Sequence, residues 1–257
     1  MARLPRLYAP GLPQLVQASF AAPLAAPSQA TPADILNQLG VWLGDCAQRQ
    51  QVSVHGWLLA TDQVLLLATP QDEEGLPRLM QTLGRNLAAR LRNGRVFAGR
   101  YRSALVEPGA WVLPALVWLE SAPQRALQPH DPERWPWSSA AIHTGAIPSG
   151  AAWLSDHKDY WTCGNTPFDR QANYRRLLTD GLSRRQHEQI SQAVSGQWAL
   201  GSPAFLASLD QTASRRVAPG KRGRPKKASP IDEHNGVNPA SSVKPASNQT
   251  DQVDHPG

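Results

Sequence analysis

At 257 residues, 41% of them hydrophobic and nine of them Trp, the chain has enough mass for a packed core in one large domain or two small ones. No apolar run reaches the ~18 residues that a transmembrane helix needs. The two cysteines, Cys46 and Cys163, stand far apart with no C-x-x-C and no neighbouring His pair, which excludes a disulfide scaffold and a zinc ribbon and fits a reducing cytoplasm. The net charge of +6 is unevenly spread: residues 1–214 hold 18 Lys/Arg against 16 Asp/Glu, residues 215–227 hold seven basic and no acidic side chains, and residues 228–257 hold one Lys against four acids.

The opening MARLPRLYAPGLPQLVQASFAAPLAA has the early Arg and apolar tract of a signal peptide, but Pro10, Gly11, Pro13 and Gln14 interrupt its apolar core, so export is not expected. GLPQLVQASF reads as a strand and AAPLAAPSQATP as a Pro/Ala loop. Thr31 or Asp34 then caps a helix whose Ile35, Leu39, Trp42, Leu43 and Cys46 recur at helical spacing. VSVHGWLLA and QVLLLAT are strands joined through Thr61 and Asp62 as a tight hairpin. Gly75 opens a second helix, with Leu76, Leu79, Met80, Leu83, Leu87 and Leu91 on one stripe and its Arg on the other. VFAGRYRSALV predicts a further strand, and a helix follows over 111–121, delayed or kinked by Pro114.

Strand, helix, two strands, helix and strand is the split βαβ pattern, which predicts an α+β, ferredoxin-like antiparallel sheet with helices. Beyond RWPWSSAAIH, helices are expected at 167–182, 183–195 and 202–214. After Ser214 the chain is Pro, Gly, Ser, Asn and charge, a composition that predicts disorder. The expected organisation is a ferredoxin-like domain over 1–145, a small helical region over 146–214 and a disordered, basic then polar tail over 215–257.

Several fragments, in order, resemble one family. ARLPRL with PGLP, GLPRLMQTLGR, FAGRYRSALV, WPWSS, GQWALGS and RRVAPGKRGRPKK, running from Arg3 to Lys227, are similar to the REP-associated tyrosine transposases. These are HUH-type single-strand transposases of bacterial insertion sequences. The resemblance implies a ferredoxin-like domain that recognises single-stranded DNA hairpins of palindromic repeats. It also implies a metal-assisted Tyr that attacks the phosphodiester and forms a phosphotyrosine link. Two His at i and i+2 on a strand share a face and hold the Mg or Mn ion. A Tyr on the adjacent helix is the nucleophile, and an amide one turn later completes the metal shell.

At those four positions this chain has other residues. Gln63 and Leu65 stand for the two His, Trp118 for the Tyr and Ala122 for the amide. Leu and Ala cannot ligate a metal, and indole has no hydroxyl to attack phosphorus. The first strand departs as well, reading QLVQASFAAP where the family carries His and Arg. By contrast, GRYRS at residues 99–103 is intact, and so is the Arg-bearing helix before it. The reading therefore assigns no catalytic residue, no metal ligand and no cofactor. Leu65 and Trp118 are expected to pack together and close the vacated site.

What remains is a polyanion-binding signature. Residues 75–106 hold no acid but carry Arg78, Arg85, Arg90, Arg92, Arg95, Arg100 and Arg102, the expected nucleic-acid contacts. Lys221, Arg222, Arg224, Lys226 and Lys227 in KRGRPKK resemble an AT-hook, whose Arg-Gly-Arg core enters a narrow minor groove. His55 is read as a strand packing residue, and His130, His143 and His157 receive no role. Tyr101 and Tyr160 are not expected to replace the nucleophile, and Trp135 and Trp137 are expected to cover the sheet edge rather than stack on bases.

The sequence thus points to a cytoplasmic, nucleoid-associated DNA-binding protein with hairpin or single-stranded DNA as partner and no membrane partner, its nicking and joining activity lost. Two alternatives stand beside it. One is an active tyrosine transposase that uses substitute ligands such as Asp62 or Glu120; the other is an RNA-binding ferredoxin-like module.

Overall fold

The expected order of elements is the one observed. The computed structural model describes residues 5–24, 31–92, 94–125, 130–148, 151–213 and 215–220. Strand β1 (Gln14–Ser19) leads to helix α1 (Pro32–Arg49), the hairpin β2 (Val52–Leu59) and β3 (Gln63–Pro70), helix α2 (Gly75–Leu91) and strand β4 (Arg102–Leu105). The sheet runs β2-β3-β1-β4 with every neighbouring pair antiparallel, which is the ferredoxin-like arrangement. Helices α3 (Val112–Glu120), α4 (Ala140–His143), α5 (Lys158–Trp161), α6 (Pro167–Asp180), α7 (Arg184–Gly196) and α8 (Pro203–Asp210) complete the α+β fold.

Local chemistry accounts for the element ends. Thr31 and Asp34 form a capping box at the start of α1, with Pro32 in its first turn. Ser183 and Gln186 do the same for α7. Residue alternation then sorts the strands onto two faces. Val16, Ala18, Val64, Leu66 and Ala68 pack with the buried stripes of α1 and α2, whereas Leu15, Leu65 and Leu67 pack with α3, α6 and α7. In β2 the register slips between Val54 and Gly56, so one extra residue, His55, switches the alternation. Val54 before it and Trp57 and Leu59 after it all face α1 and α2, while Leu58 faces α3.

Three expectations are corrected. The fourth strand is much shorter than VFAGRYRSALV: Phe97 makes a single bridge to Phe20, and regular pairing starts only at Arg102. Pro114 neither delays nor kinks α3, because it falls in the first turn, where no intrahelical N–H is needed. Arg215 to Gly220, placed in the expected disordered tail, are held on the fold: Val217 is buried beside Leu7, Leu105 and Leu209, and its carbonyl accepts from the Ala199 N–H at 2.8 Å. Lys221 to Gly257 lie outside the described residues.

The β2 edge of the sheet is covered, and the four-residue β4 edge is engaged at its end. Along β2, Ser155 N–H donates to Val54 O, Ser139 N–H to Trp57 O and Leu59 N–H to Trp137 O, all at 2.8–3.0 Å. The Trp135 indole N–H also donates to Leu59 O at 3.0 Å, so the WPWSS segment does cover the edge as expected. Along β4, Leu200 N–H donates to Leu105 O and Glu107 N–H to Leu200 O. Among the described residues no helix is long and apolar enough to cross a membrane.

At Gly56 of β2 the sheet leaves no room for a side chain beneath α3. A Cβ there would sit 2.4 Å from Cδ2 of the buried Leu116, so that side chain or α3 itself would have to shift. Gly56→Ala should lower stability by about 1–3 kcal/mol, read from urea unfolding. Gly99→Ala, with nothing within 4 Å, should leave the midpoint unchanged.

Candidate nucleic-acid interface and the β3–α3 cavity

The four degenerate positions converge. Gln63 and Leu65 on β3, Trp118 in the last turn of α3 and Ala122 just beyond it line one cavity of about 580 Å³. Leu65 is 1% exposed and Trp118 7% exposed, and both belong to the same apolar cluster. The expectation that they would close the site is not met, since the cavity remains open between sheet and helix. Gln17 on β1 and Gln63 are joined across the strands by a 2.8 Å hydrogen bond from Gln17 Nε2 to Gln63 Oε1. Trp118 Nε1 donates to Ser191 Oγ of α7 at 3.3 Å, and Arg125 holds its guanidinium 5.3 Å from the Trp118 ring. The indole is thereby fixed between two neighbours.

The donors around this cavity do not fit a divalent ion. Asp62, His130 and His187 line it, but among the described residues no three His, Cys, Asp or Glu side chains converge as a metal shell requires. The other proposed substitute, Glu120, points elsewhere. It is fully buried, and its carboxylate accepts from Ser139 Oγ at 2.5 Å, His143 Nδ1 at 2.6 Å and Tyr174 OH at 2.7 Å. Tyr160 OH donates to His143 O at 2.7 Å, and burial raises its pKa, so the hydroxyl stays protonated. Tyr101, pushed up to about 12 by burial, lies against Arg6 on the other face of the sheet. Neither tyrosine lines the cavity.

His143, assigned no role from sequence, is central to this buried network. Burial alone would lower its pKa, but the charge and hydrogen bond of Glu120, with Asp156 beyond, raise it. His55 is the opposite case: burial lowers it to about 4, while Nδ1 meets Ser155 O at 2.6 Å and Nε2 meets Thr69 Oγ1 at 2.8 Å. His55 is thus a packing residue of the bulge.

The arginines fall into separate places. Arg78, Arg85 and Arg92 recur every seven residues and share one stripe of α2 and its C-terminal end. Arg78 and Arg100 line a second cavity of about 390 Å³ together with Arg6, Tyr101 and Phe97. Arg6 was not selected from sequence; its guanidinium stacks 3.7 Å from the Tyr101 ring. The available signal was its place in the ARLPRL fragment. Arg90 is off the stripe, and Arg95 donates to the carbonyls of Phe97 and Ala98. Arg102 alternates with Ala104 and so shares the α3 face, in register with Gln17. All seven are exposed, and among the described residues no ion pair engages Arg78, Arg85, Arg90, Arg92, Arg100 or Arg102. Lys221, Arg222, Arg224, Lys226 and Lys227 lie outside the described residues.

No protein-family profile and no curated protein matches the chain. Among solved structures it is similar to that of a REP-associated tyrosine transposase bound to a REP hairpin. The TM-score is 0.48 and the identity 11%, over 61% of this chain and 93% of that one.

The Glu120–His143 pair makes a pH-dependent contribution. Because the His143 pKa is raised above 6.5 in the fold, its stabilisation is complete below that value and is lost as pH rises through the folded pKa. Glu120→Gln should cost about 3–5 kcal/mol at pH 6. It should also flatten the fall of the thermal midpoint between pH 6.5 and 9. Parallel profiles for the two proteins would show that the pair does not carry that fall.

Proposed function

We propose that the chain is a DNA-binding protein of transposase type that recognises hairpin or single-stranded DNA and has lost nicking and joining. The observation that supports the loss is the content of the converged site: Gln63, Leu65, Trp118 and Ala122 meet at one cavity and supply neither a nucleophile nor a metal shell. The contact surface runs from the α2 stripe of Arg78, Arg85 and Arg92 into the cleft of Arg6 and Arg100. Unpaired guanidiniums beside exposed backbone suit phosphate oxygens, which accept the bidentate fork. Arg102 contributes from the other face of the sheet, and the basic residues of KRGRPKK add affinity.

The substitute-ligand reading loses support from Glu120, whose carboxylate is committed to three buried donors. Competition between a DNA hairpin and the RNA of the same sequence separates the DNA reading from RNA binding.

If about five of the Arg touch phosphates, the slope of log K against log salt on a single strand is about −3.5, taking ~0.7 per contact. Arg100→Ala with Arg102→Ala should reduce the magnitude of that slope by about 1.4 and weaken hairpin binding more than deletion of residues 228–257. A salt-independent affinity would remove the arginine surface from the proposal. Labelled hairpin incubated with Mg²⁺ or Mn²⁺ should give no covalent adduct on a denaturing gel. An adduct mapped to any residue would restore the enzyme reading.

A further inference from the structure

Two features of the β3–α3 cavity are not used by the arginine surface. The first is Arg125. Its guanidinium donates to Trp118 O and Ser121 Oγ, both at 2.6 Å, which pins it at the cavity wall. Burial lowers its pKa to about 10, so the group remains charged at neutral pH. Among the described residues no carboxylate pairs with it. A fixed, partly desolvated cation without a counter-charge is complementary to an anion.

The second feature is the Gln17–Gln63 pair. One bond joins the two amides, which leaves the remaining amide hydrogens of Gln63 and the carbonyl of Gln17 uncommitted among the described residues. A side-chain amide with a free donor and a free acceptor reads the edge of a nucleobase. Between these polar ends lie Leu58, Leu65, Trp118 and Trp135, while Thr61, Asp62, His130 and His187 also line the cavity. The volume of about 580 Å³ is of the size that holds a small ligand.

We propose that this cavity binds one nucleobase carrying a 5′-phosphate. The ring lies along the Trp118 and Trp135 side, the base edge meets the Gln17–Gln63 pair and the phosphate meets Arg125. Arg102 stands beside Gln17 on the same face of the sheet, where it can take the next phosphate of a strand. A free mononucleotide and an unpaired nucleotide of a strand present the same chemistry. The pocket is independent of the arginine cleft, so either can fail without the other.

The test uses the full chain and calorimetric titration with each of the four deoxynucleoside 5′-monophosphates. Deoxyribose 5-phosphate, which keeps the anion and lacks the base, is the comparison. At least one nucleotide should bind at least about tenfold more tightly than deoxyribose 5-phosphate, as base–aromatic stacking requires. Equal affinities, or no binding of any nucleotide, would overturn the pocket. Ala122→Phe, which fills the cavity, should weaken the preferred nucleotide by at least about tenfold, and Gln63→Leu should change the ranking of the bases. Unaltered binding in both folded variants would place the nucleotide elsewhere and overturn the proposal. A hairpin with a single abasic position identifies the source. Weaker binding at one position only means that the pocket takes a base from the strand; equal binding at every position, with nucleotides still bound, means that it takes a free nucleotide. Hairpin binding without nucleotide binding would sink the pocket and leave the DNA reading in place.

Discussion

The buried carboxylate of Glu120 is the constraint on which the arrangement of this protein turns. A carboxylate removed from water is costly unless every lone pair finds a donor. Here the donors come from three separate segments: Ser139 beside the sheet edge, His143 on α4 and Tyr174 on α6. The fold can bury the charge only if all three arrive together, so the C-terminal helices and the sheet are locked to one end of α3. Trp118 lies two residues earlier on the same helix and points to a different side. The network that fixes Glu120 therefore also fixes the height and rotation of Trp118 above β3.

The same anchoring holds open the cavity between the sheet and α3. Its floor, Leu58 and Leu65, belongs to the covered edge strand β2 and the central strand β3, which pair with each other, and its roof belongs to a helix anchored from behind. Neither wall can move far without breaking buried polar bonds, and packed interiors relax only partly around missing volume. With Leu58, Leu65, Trp118 and Ala122 among its walls, the cavity has a lining that is apolar in part while its shape is set by the sheet and α3. The polar part of the lining is the amide pair of Gln17 and Gln63 with Thr61, Asp62, Arg125, His130 and His187.

Much of the architecture was legible in the sequence because local patterns encode it. The stripes of α1 and α2, the Thr31 cap and the Thr61-Asp62 hairpin follow from period and turn chemistry. The convergence of Gln63, Leu65, Trp118 and Ala122 followed from the family resemblance and not from any pattern in the residues. Elements of four residues, α4 and α5, are too short to show a period. The bulge at His55 was hidden because Ser53 and His55 alternate with Val52 and Val54 but Trp57, Leu58 and Leu59 are apolar on both faces, so the change of alternation after His55 leaves no trace. The network of Glu120 joins residues as far as 54 apart, and the Gln17–Gln63 pair spans 46. Such contacts leave no short-range mark. One signal was present: a single carboxylate at the end of VLPALVWLE, a helix otherwise without charge, has to find its partners outside that helix.

The edges of the sheet bear on how copies of this chain can meet. Backbone groups of β2 are engaged by residues 137–139 and 155, and β4 is only four residues long with its last carbonyl, Leu105 O, taken by Leu200, so neither edge offers a long ladder of vacant amides to another chain. Joining two sheets into one continuous sheet across a dyad is closed as a route to assembly at these strands. A symmetric pair would have to meet through helix surfaces, where exposed groups such as Val41 on α1 or Trp161 and Phe168 around α5 and α6 are available. The arginine stripe of α2 would repel its own image. A dyad placed away from that stripe would leave two cationic tracks facing outward, each free to follow a separate strand of nucleic acid.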